Sequence, residues 1–132
     1  MAKSSRSDRQ KWQRLQQGLA MKYQVELAQL GQYEHRLIAL LELRDRLIAQ
    51  FGAEDPSACL FPDSIARKLR TVSAEIDDIR PQRDAQRRVV HRAKSMAERA
   101  EEQLAGHTRA LSRDASEKQS GERVVQNAAR EQ

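Results

Sequence analysis

The apolar residues in the first half of the chain recur at helical spacing. No proline lies between Asp8 and Pro56, and most positions three or four residues apart are apolar. These positions are Leu19, Tyr23, Leu27, Leu30, Glu34, Leu37, Leu41, Arg44, Ile48 and Phe51. Such a repeat predicts a helix with one narrow apolar seam, of the kind that pairs in coiled coils. We therefore predict a first helix over about residues 8–51.

The second half keeps this rhythm for longer. Alternating steps of four and three connect Ile65, Leu69, Val72, Ile76, Ile79, Arg83, Gln86, Val90, Ala93, Ala97, Ala100, Leu104, His107 and Leu111. The pattern predicts a second helix over about residues 63–118. Pro81 predicts a bend near residues 77–81, because proline removes a backbone hydrogen bond. The periodicity then fades, so residues 119–132 are predicted to form a polar tail that is loose or partly helical.

A short segment between the seams predicts how the helices are connected. "GAEDPSACLFPD", residues 52–63, contains two prolines and begins with Gly52, which accepts the left-handed conformation common at helix ends. Two helices joined by a short turn form an antiparallel hairpin. The predicted fold class is therefore all-α, an elongated two-helix coiled-coil hairpin forming one domain over residues 1–118.

One polar residue in each seam suggests the register of the hairpin. If Ile48 faces Leu69, then Glu34 in the first seam faces Arg83 in the second. We predict that Glu34 and Arg83 form an ion pair. The pair would set the register more than the stability, because a partly exposed ion pair contributes only about 0–1 kcal/mol.

Composition narrows the classes of function. Hydrophobic residues make up 39% of the 132 residues and aromatic residues 4%, which is little for a compact core. The chain has no run of 18 apolar residues, so no membrane span is predicted. Cys59 is the single cysteine and has no internal disulfide partner. There is no glycine-rich phosphate loop and no zinc-like spacing of His and Cys. The sequence predicts a non-enzymatic cytoplasmic protein without metal or cofactor.

An apolar surplus lies near the predicted turn. Residues outside the first seam form a candidate protein-binding patch with two residues of the turn: Ile38, Leu40, Leu43, Leu47, Leu60 and Phe61. Three interpretations stay open. The turn folds back and covers the patch, another protein binds it, or two hairpins pair there as a four-helix bundle.

Basic residues in the second helix form the other candidate site. The net charge is +5, and the segment "RPQRDAQRRVVHRAK" contains one acidic residue among Arg80, Arg83, Arg87, Arg88, Arg92 and Lys94. The simplest interpretation is a solvated helix face, and the functional ones are an acidic protein groove or a phosphate backbone. Nucleic acid is the less favoured partner, since Trp12 is the one aromatic side chain for base stacking among the basic N-terminal residues.

The layout assembled above resembles a known family. Two long antiparallel helices, a short turn and stretches such as "AKSMAERAEEQLAGHTRALSRDASEK" are similar to the FliJ/YscO-type central stalk proteins of bacterial type III secretion, flagellar or injectisome. The resemblance implies a cytoplasmic stalk that enters the hexameric secretion ATPase and contacts the cytoplasmic domain of the export gate. In some systems such stalks also escort export chaperones.

The family resemblance suggests an orientation for the two candidate surfaces. The apolar patch would contact the gate, and the basic N-terminal end would face the ATPase pore. A monomer is expected, with self-association left open. The alternatives are a generic coiled-coil adaptor or homodimer, and a basic coiled coil that binds nucleic acid.

Overall fold

The computed structural model describes residues 6–52 and 62–130, and these ranges contain two helices and no strand. Helix α1 comprises Arg6–Phe51 and helix α2 comprises Pro62–Arg130. The two helices pack against each other as a hairpin. The predicted all-α helical hairpin is therefore confirmed.

The end of α1 and the start of α2 are explained by the residues found there. The Gly52 amide donates a hydrogen bond of 2.9 Å to the carbonyl oxygen of Ile48, which continues the helical pattern by one residue. Helix α1 ends at Phe51, directly before Gly52, although Gly52 does not use the positive φ that glycine accepts. Helix α2 begins at Pro62, where the missing N–H has no intrahelical partner to lose. Asp63 follows in the first turn, where a negative charge is favoured.

Helix α2 extends farther than the periodicity predicted. It continues through Pro81 and past residue 118 to Arg130. Residues 119–130 are helical and exposed, where the sequence predicted a tail that is loose or partly helical. Extending an existing helix costs much less than starting one, and Gln, Glu, Arg and Ala favour helical conformation. The bend predicted at residues 77–81 stays a prediction.

The chain divides into two compact units. One, here called the terminal unit, comprises Met1–Tyr23 and Ala93–Gln132. The other, here called the central unit, comprises Gln24–Arg92. Each contains part of both helices, so each has its own packing between α1 and α2.

The apolar core of the central unit is a narrow cluster between the helices. Its buried members are Leu37, Leu40, Leu47, Val72, Ile76 and Ile79, with Tyr33, Leu41, Ile65 and Leu69 packed partly against them. Full burial of one such aliphatic side chain stabilises the folded state by about 1.5–3 kcal/mol. The cluster therefore accounts for most of the apolar stabilisation in this unit.

The seam of α2 follows the sequence pattern. Every position predicted for it, from Ile65 to Leu111, is buried or half-buried. The prediction for this helix is confirmed at each step of four and three.

The seam of α1 in the central unit lies partly one residue earlier than predicted. Leu30, Leu37 and Arg44 belong to it as expected. Glu26 is half-buried where Leu27 is exposed, and Leu47 is buried where Ile48 is exposed. In the middle of the seam both neighbours take part, since Tyr33 and Glu34 are half-buried, Leu40 is buried and Leu41 packs partly against the core. The contrast is clearest at one end of the seam, where Leu47 is 6% exposed and Ile48 is 53% exposed.

The terminal unit packs small and aromatic side chains. Ala93 and Ala100 are buried on α2. The rings of Trp12 and His107 stack with centroids 5.9 Å apart and an interplanar angle of 29°. Small alanine side chains allow two helices to approach closely, and the stacked rings supply a larger contact between α1 and α2.

Candidate functional site

The ion pair predicted to set the register does not form. Glu34 Oε1 lies 3.4 Å from Arg87 Nη2, whereas Arg83 donates to the neighbouring Asp84 at 3.0 Å. The prediction chose the right acidic residue and the wrong arginine. Arg83 belongs to the seam and turns back to Asp84, while Arg87, one helical turn farther on, reaches across to α1.

Two ion pairs between the helices define two sides of the central unit. Arg36 Nη2 lies 2.8 Å from Glu75 Oε2, and Glu34 pairs with Arg87. Glu34 and Arg36 are two residues apart, which is about 200° around a helix. The two pairs therefore lie on opposite sides of the seam, here called the Glu34 side and the Arg36 side.

A polar contact also lies within the seam between these two sides. The Gln86 amide donates to the carbonyl oxygen of Glu26 at 2.9 Å and to its carboxylate at 2.6 Å. Hydrogen bonds to a charged acceptor are stronger than neutral ones. Together with the ion pairs, this contact fixes how α1 and α2 align.

The predicted protein-binding patch is not one surface. Leu40 is 3% exposed and belongs to the core with Leu47, because α2 covers both residues. Ile38 and Leu43 are exposed, but Ile38 lies on the Glu34 side and Leu43 on the Arg36 side. The other two predicted members, Leu60 and Phe61, lie outside the described residues. The apolar surplus thus separates into a buried part and two exposed parts.

Leu43, an exposed apolar residue of the Arg36 side, lines a groove between the helices. The groove is open, has a volume of about 450 Å³, and is lined by Arg36, Ala39, Leu40, Leu43, Arg46, Lys68, Thr71, Val72 and Glu75. Its floor is apolar and its rim is mainly basic, since Glu75 is already paired with Arg36. The sequence pattern does not reveal this groove, because its lining depends on which residues of α1 face α2.

The exposed apolar residues of the Glu34 side follow a second stripe on α1. Leu27, Ile38 and Ile48 are exposed there, and Leu41 is partly covered by the core. Three of these positions, Leu27, Leu41 and Ile48, are ones that the sequence analysis placed in the buried seam. The stripe is therefore covered only in part, at Leu41, while Leu27 and Ile48 remain exposed.

The predicted basic face also separates into parts. Arg80 and Arg87 are exposed at seven-residue spacing on the Glu34 side, and Arg83 between them is largely covered. Arg88 and Arg92 are four residues apart on the outer surface of α2, and neither forms an ion pair with a described residue. Lys94 is exposed and belongs to the terminal unit.

The terminal unit has a groove of mixed charge. It is open, of about 880 Å³, and is lined by Arg6, Arg9, Thr108, Leu111, Ser112, Asp114, Ala115, Glu117 and Lys118. Both signs of charge occur along it, so it has no clear preference for a ligand charge.

The described residues contain neither a metal-binding group nor a membrane-spanning helix. In the described ranges, no three His, Cys, Asp or Glu side chains are grouped so that they could hold a metal ion. Within the same ranges, neither helix has a segment that is long and apolar enough to cross a membrane.

Comparison of the chain with models of protein families, with curated proteins and with solved structures gave no match.

Proposed function

We propose that this protein is a non-enzymatic adaptor that serves as the central stalk of a type III export apparatus. In that role it links the hexameric secretion ATPase to the export gate. It also escorts export chaperones, as stalks of this type do in some systems. The observation that supports the proposal is the helical hairpin with a narrow apolar seam and charged sides. This is the layout that led to the resemblance to FliJ/YscO-type proteins.

The groove on the Arg36 side supports a protein partner. An apolar floor with a basic rim fits an amphipathic segment whose polar edge is acidic. Leu43 supplies exposed apolar surface, and Arg46 and Lys68 supply positive charge beside it. In the proposed function, this groove contacts the cytoplasmic domain of the export gate.

The basic start of α1 supports a contact with the ATPase. Arg9, Lys11 and Arg14 are exposed on α1 in the terminal unit. Exposed charges of one sign guide association with a surface of the opposite sign. In the proposed function, these residues face the pore of the ATPase ring.

The test is capture of the tagged full-length chain from its native host, with and without nuclease, followed by mass spectrometry. The proposal expects a hexameric ATPase and an export-gate component to be recovered in both conditions. Recovery of neither, from a host that expresses an export apparatus, would contradict it.

A pair of variants tests the groove itself. Leu43→Asp should reduce recovery of the gate component at least about tenfold, because it places a negative charge on an apolar floor meant for an acidic segment. Val25→Asp is the matched control, since Val25 is exposed on the same side of α1 and does not line the groove. Equal loss with both variants would remove the groove from the proposal.

A second candidate function is binding of nucleic acid, and Arg88 and Arg92 favour it. Both arginines are exposed, and neither is neutralised by a described carboxylate. Binding through phosphate contacts should weaken steeply with salt, and Arg88→Glu with Arg92→Glu should weaken it further. Ribosomal or other nucleic-acid-bound proteins that disappear after nuclease treatment would favour this candidate over the stalk.

A further inference from the structure

We propose that the Glu34 side of the central unit binds a second copy of this chain, so that two hairpins pair there as a four-helix bundle. The first observation is the exposure of apolar side chains. Ile38 and Ile48 are 54% and 53% exposed, and Leu27 is exposed on the same side. Side chains of this type are normally buried when they recur at helical spacing.

The second observation is the regularity of this stripe. Steps of four and three connect Leu27, Gly31, Glu34, Ile38, Leu41, Asp45 and Ile48. The buried seam runs beside it with the same steps. A helix with two adjacent heptad stripes is suited to two helical neighbours, of which α2 is one.

The third observation identifies the missing neighbour as a second copy. The edge of α2 on this side has Leu69, Arg80 and Arg87, whereas the stripe of α1 has isoleucines and two carboxylates. The Glu34–Arg87 contact shows that acidic and basic residues lie at one level along the hairpin. Since the helices are antiparallel, the contacts Arg36–Glu75 and Glu34–Arg87 place Ile48 at the level of residues 63 to 73 of α2, a stretch that includes Leu69.

A two-fold axis parallel to the helices uses this alignment. This axis places α1 of each copy over α2 of the other. It does not shift either copy along the helix direction, so residues at one level in a single hairpin are at the same level across the interface. Ile48 then packs on Leu69 of the second copy, and Glu34 approaches the second copy's Arg80 and Arg87. The surface is thus self-complementary in both apolar and charged contacts, as a two-fold interface requires.

This inference goes beyond the proposed export function and uses the opposite side of the central unit. The groove that was assigned to the export gate contains Leu43, whereas the self-association surface contains Ile38 and Ile48. Each proposal can therefore fail without contradicting the other. Gate binding by Leu43→Asp tests the proposed export function, and molecular mass in solution tests self-association.

The experiment is sedimentation equilibrium of the full-length chain over low micromolar to about millimolar concentration. We expect the mass to rise from 15.1 kDa to twice that value as the concentration increases. Ile38→Glu and Ile48→Glu should each raise the dissociation constant at least about tenfold, because each loses the burial of an aliphatic side chain at the interface. Far-UV circular dichroism should remain unchanged, since both positions are exposed in the single chain.

The matched control is Val25→Glu. Val25 is 65% exposed on the same helix and in the same unit, but on the Arg36 side. It should leave the dissociation constant unchanged. A mass of 15.1 kDa at every concentration would overturn the proposal, and so would equal weakening by Val25→Glu and Ile48→Glu.

The direction of pairing has its own measurement. Ser64 is exposed near the start of α2, so Ser64→Cys in a Cys59→Ser background accepts a spin label. An axis parallel to the helices brings the two labels of a dimer to the same end. A short distance between labels supports this arrangement, whereas labels too far apart to couple would overturn it in favour of antiparallel pairing.

Discussion

At the scale of single residues, Arg44 has the least favourable surroundings in the central seam. Among the described residues, its Nε is the buried side-chain nitrogen or oxygen atom without a hydrogen-bond partner. The carboxylate oxygen Asp45 Oδ1 is 3.9 Å away, which is too far for a hydrogen bond. A polar atom buried in this way lowers stability unless the rest of the side chain compensates through packing.

Replacing Arg44 by leucine should therefore stabilise the hairpin. We expect Arg44→Leu to raise the free energy of unfolding by about 1 kcal/mol, because it removes the unsatisfied group and adds an apolar side chain to the seam. Urea denaturation followed by circular dichroism measures the change. Arg46→Leu, outside the seam, should change it by less than about half as much. A loss of stability in Arg44→Leu would show that the contacts of the guanidinium group stabilise the hairpin by more than its partial burial destabilises it.

Gly31 offers a second change at this scale. It lies inside α1, and a Cβ atom built there would meet no described atom within 4 Å. Gly31→Ala should raise the free energy of unfolding by about 0.5–1 kcal/mol, because alanine loses less backbone freedom on folding. The reverse change Ala28→Gly, on the exposed surface of the same helix, should lower it by a similar amount. Destabilisation by Gly31→Ala at low concentration would indicate a close contact that the structure does not show.

At the scale of the helices, the position of the α1 seam makes a sharp contrast between two leucines. Leu40 is buried against α2, and Leu43 is exposed in the groove. Leu40→Asp should lower the free energy of unfolding by at least about 3 kcal/mol, because it removes core packing and buries a carboxylate. Leu43→Asp should lower it by less than about 1 kcal/mol. Thermal denaturation by circular dichroism compares the two, and equal effects would mean that the seam is placed wrongly.

The same leucines show how far the sequence could predict the helices. The α2 seam was predicted throughout because its neighbours on either side are mostly polar, so only one apolar stripe fits. In α1 the neighbours Leu40 and Leu41, and likewise Leu47 and Ile48, are both apolar. The pattern within one helix does not decide which member of each pair faces the partner. That choice depends on packing against Val72 and Ile76 of α2.

The candidate sites were harder to predict for a related reason. The pairing of Glu34 with Arg87 rather than Arg83 depends on side-chain reach across one helical turn, which spacing alone does not specify. The groove around Leu43 needs residues of both helices at a known register. The exposure of most basic residues of α2, such as Arg88 and Arg92, could by contrast be expected from the sequence.

At the scale of the whole molecule, the last part of α2 adds helix without adding packing. Residues 119–130 are exposed throughout, including Val124 and Val125. Truncation after Lys118 should change the melting temperature by less than about 2 °C, because none of the described residues that it removes is buried. The total helical signal should fall by the share of the removed residues. A much larger drop in melting temperature would show that this segment makes stabilising contacts with the rest of the hairpin that the structure does not contain.

The stacked pair of Trp12 and His107 has a consequence for observing how the molecule unfolds. The chain has one tryptophan, so its fluorescence reports on the terminal unit alone, while circular dichroism reports on both units. If the two signals change at the same temperature, the units unfold as one cooperative system. If the fluorescence changes first, the pair acts as an optical marker for partial opening at the ends of the chain, while the leucine and isoleucine core of the central unit is still folded.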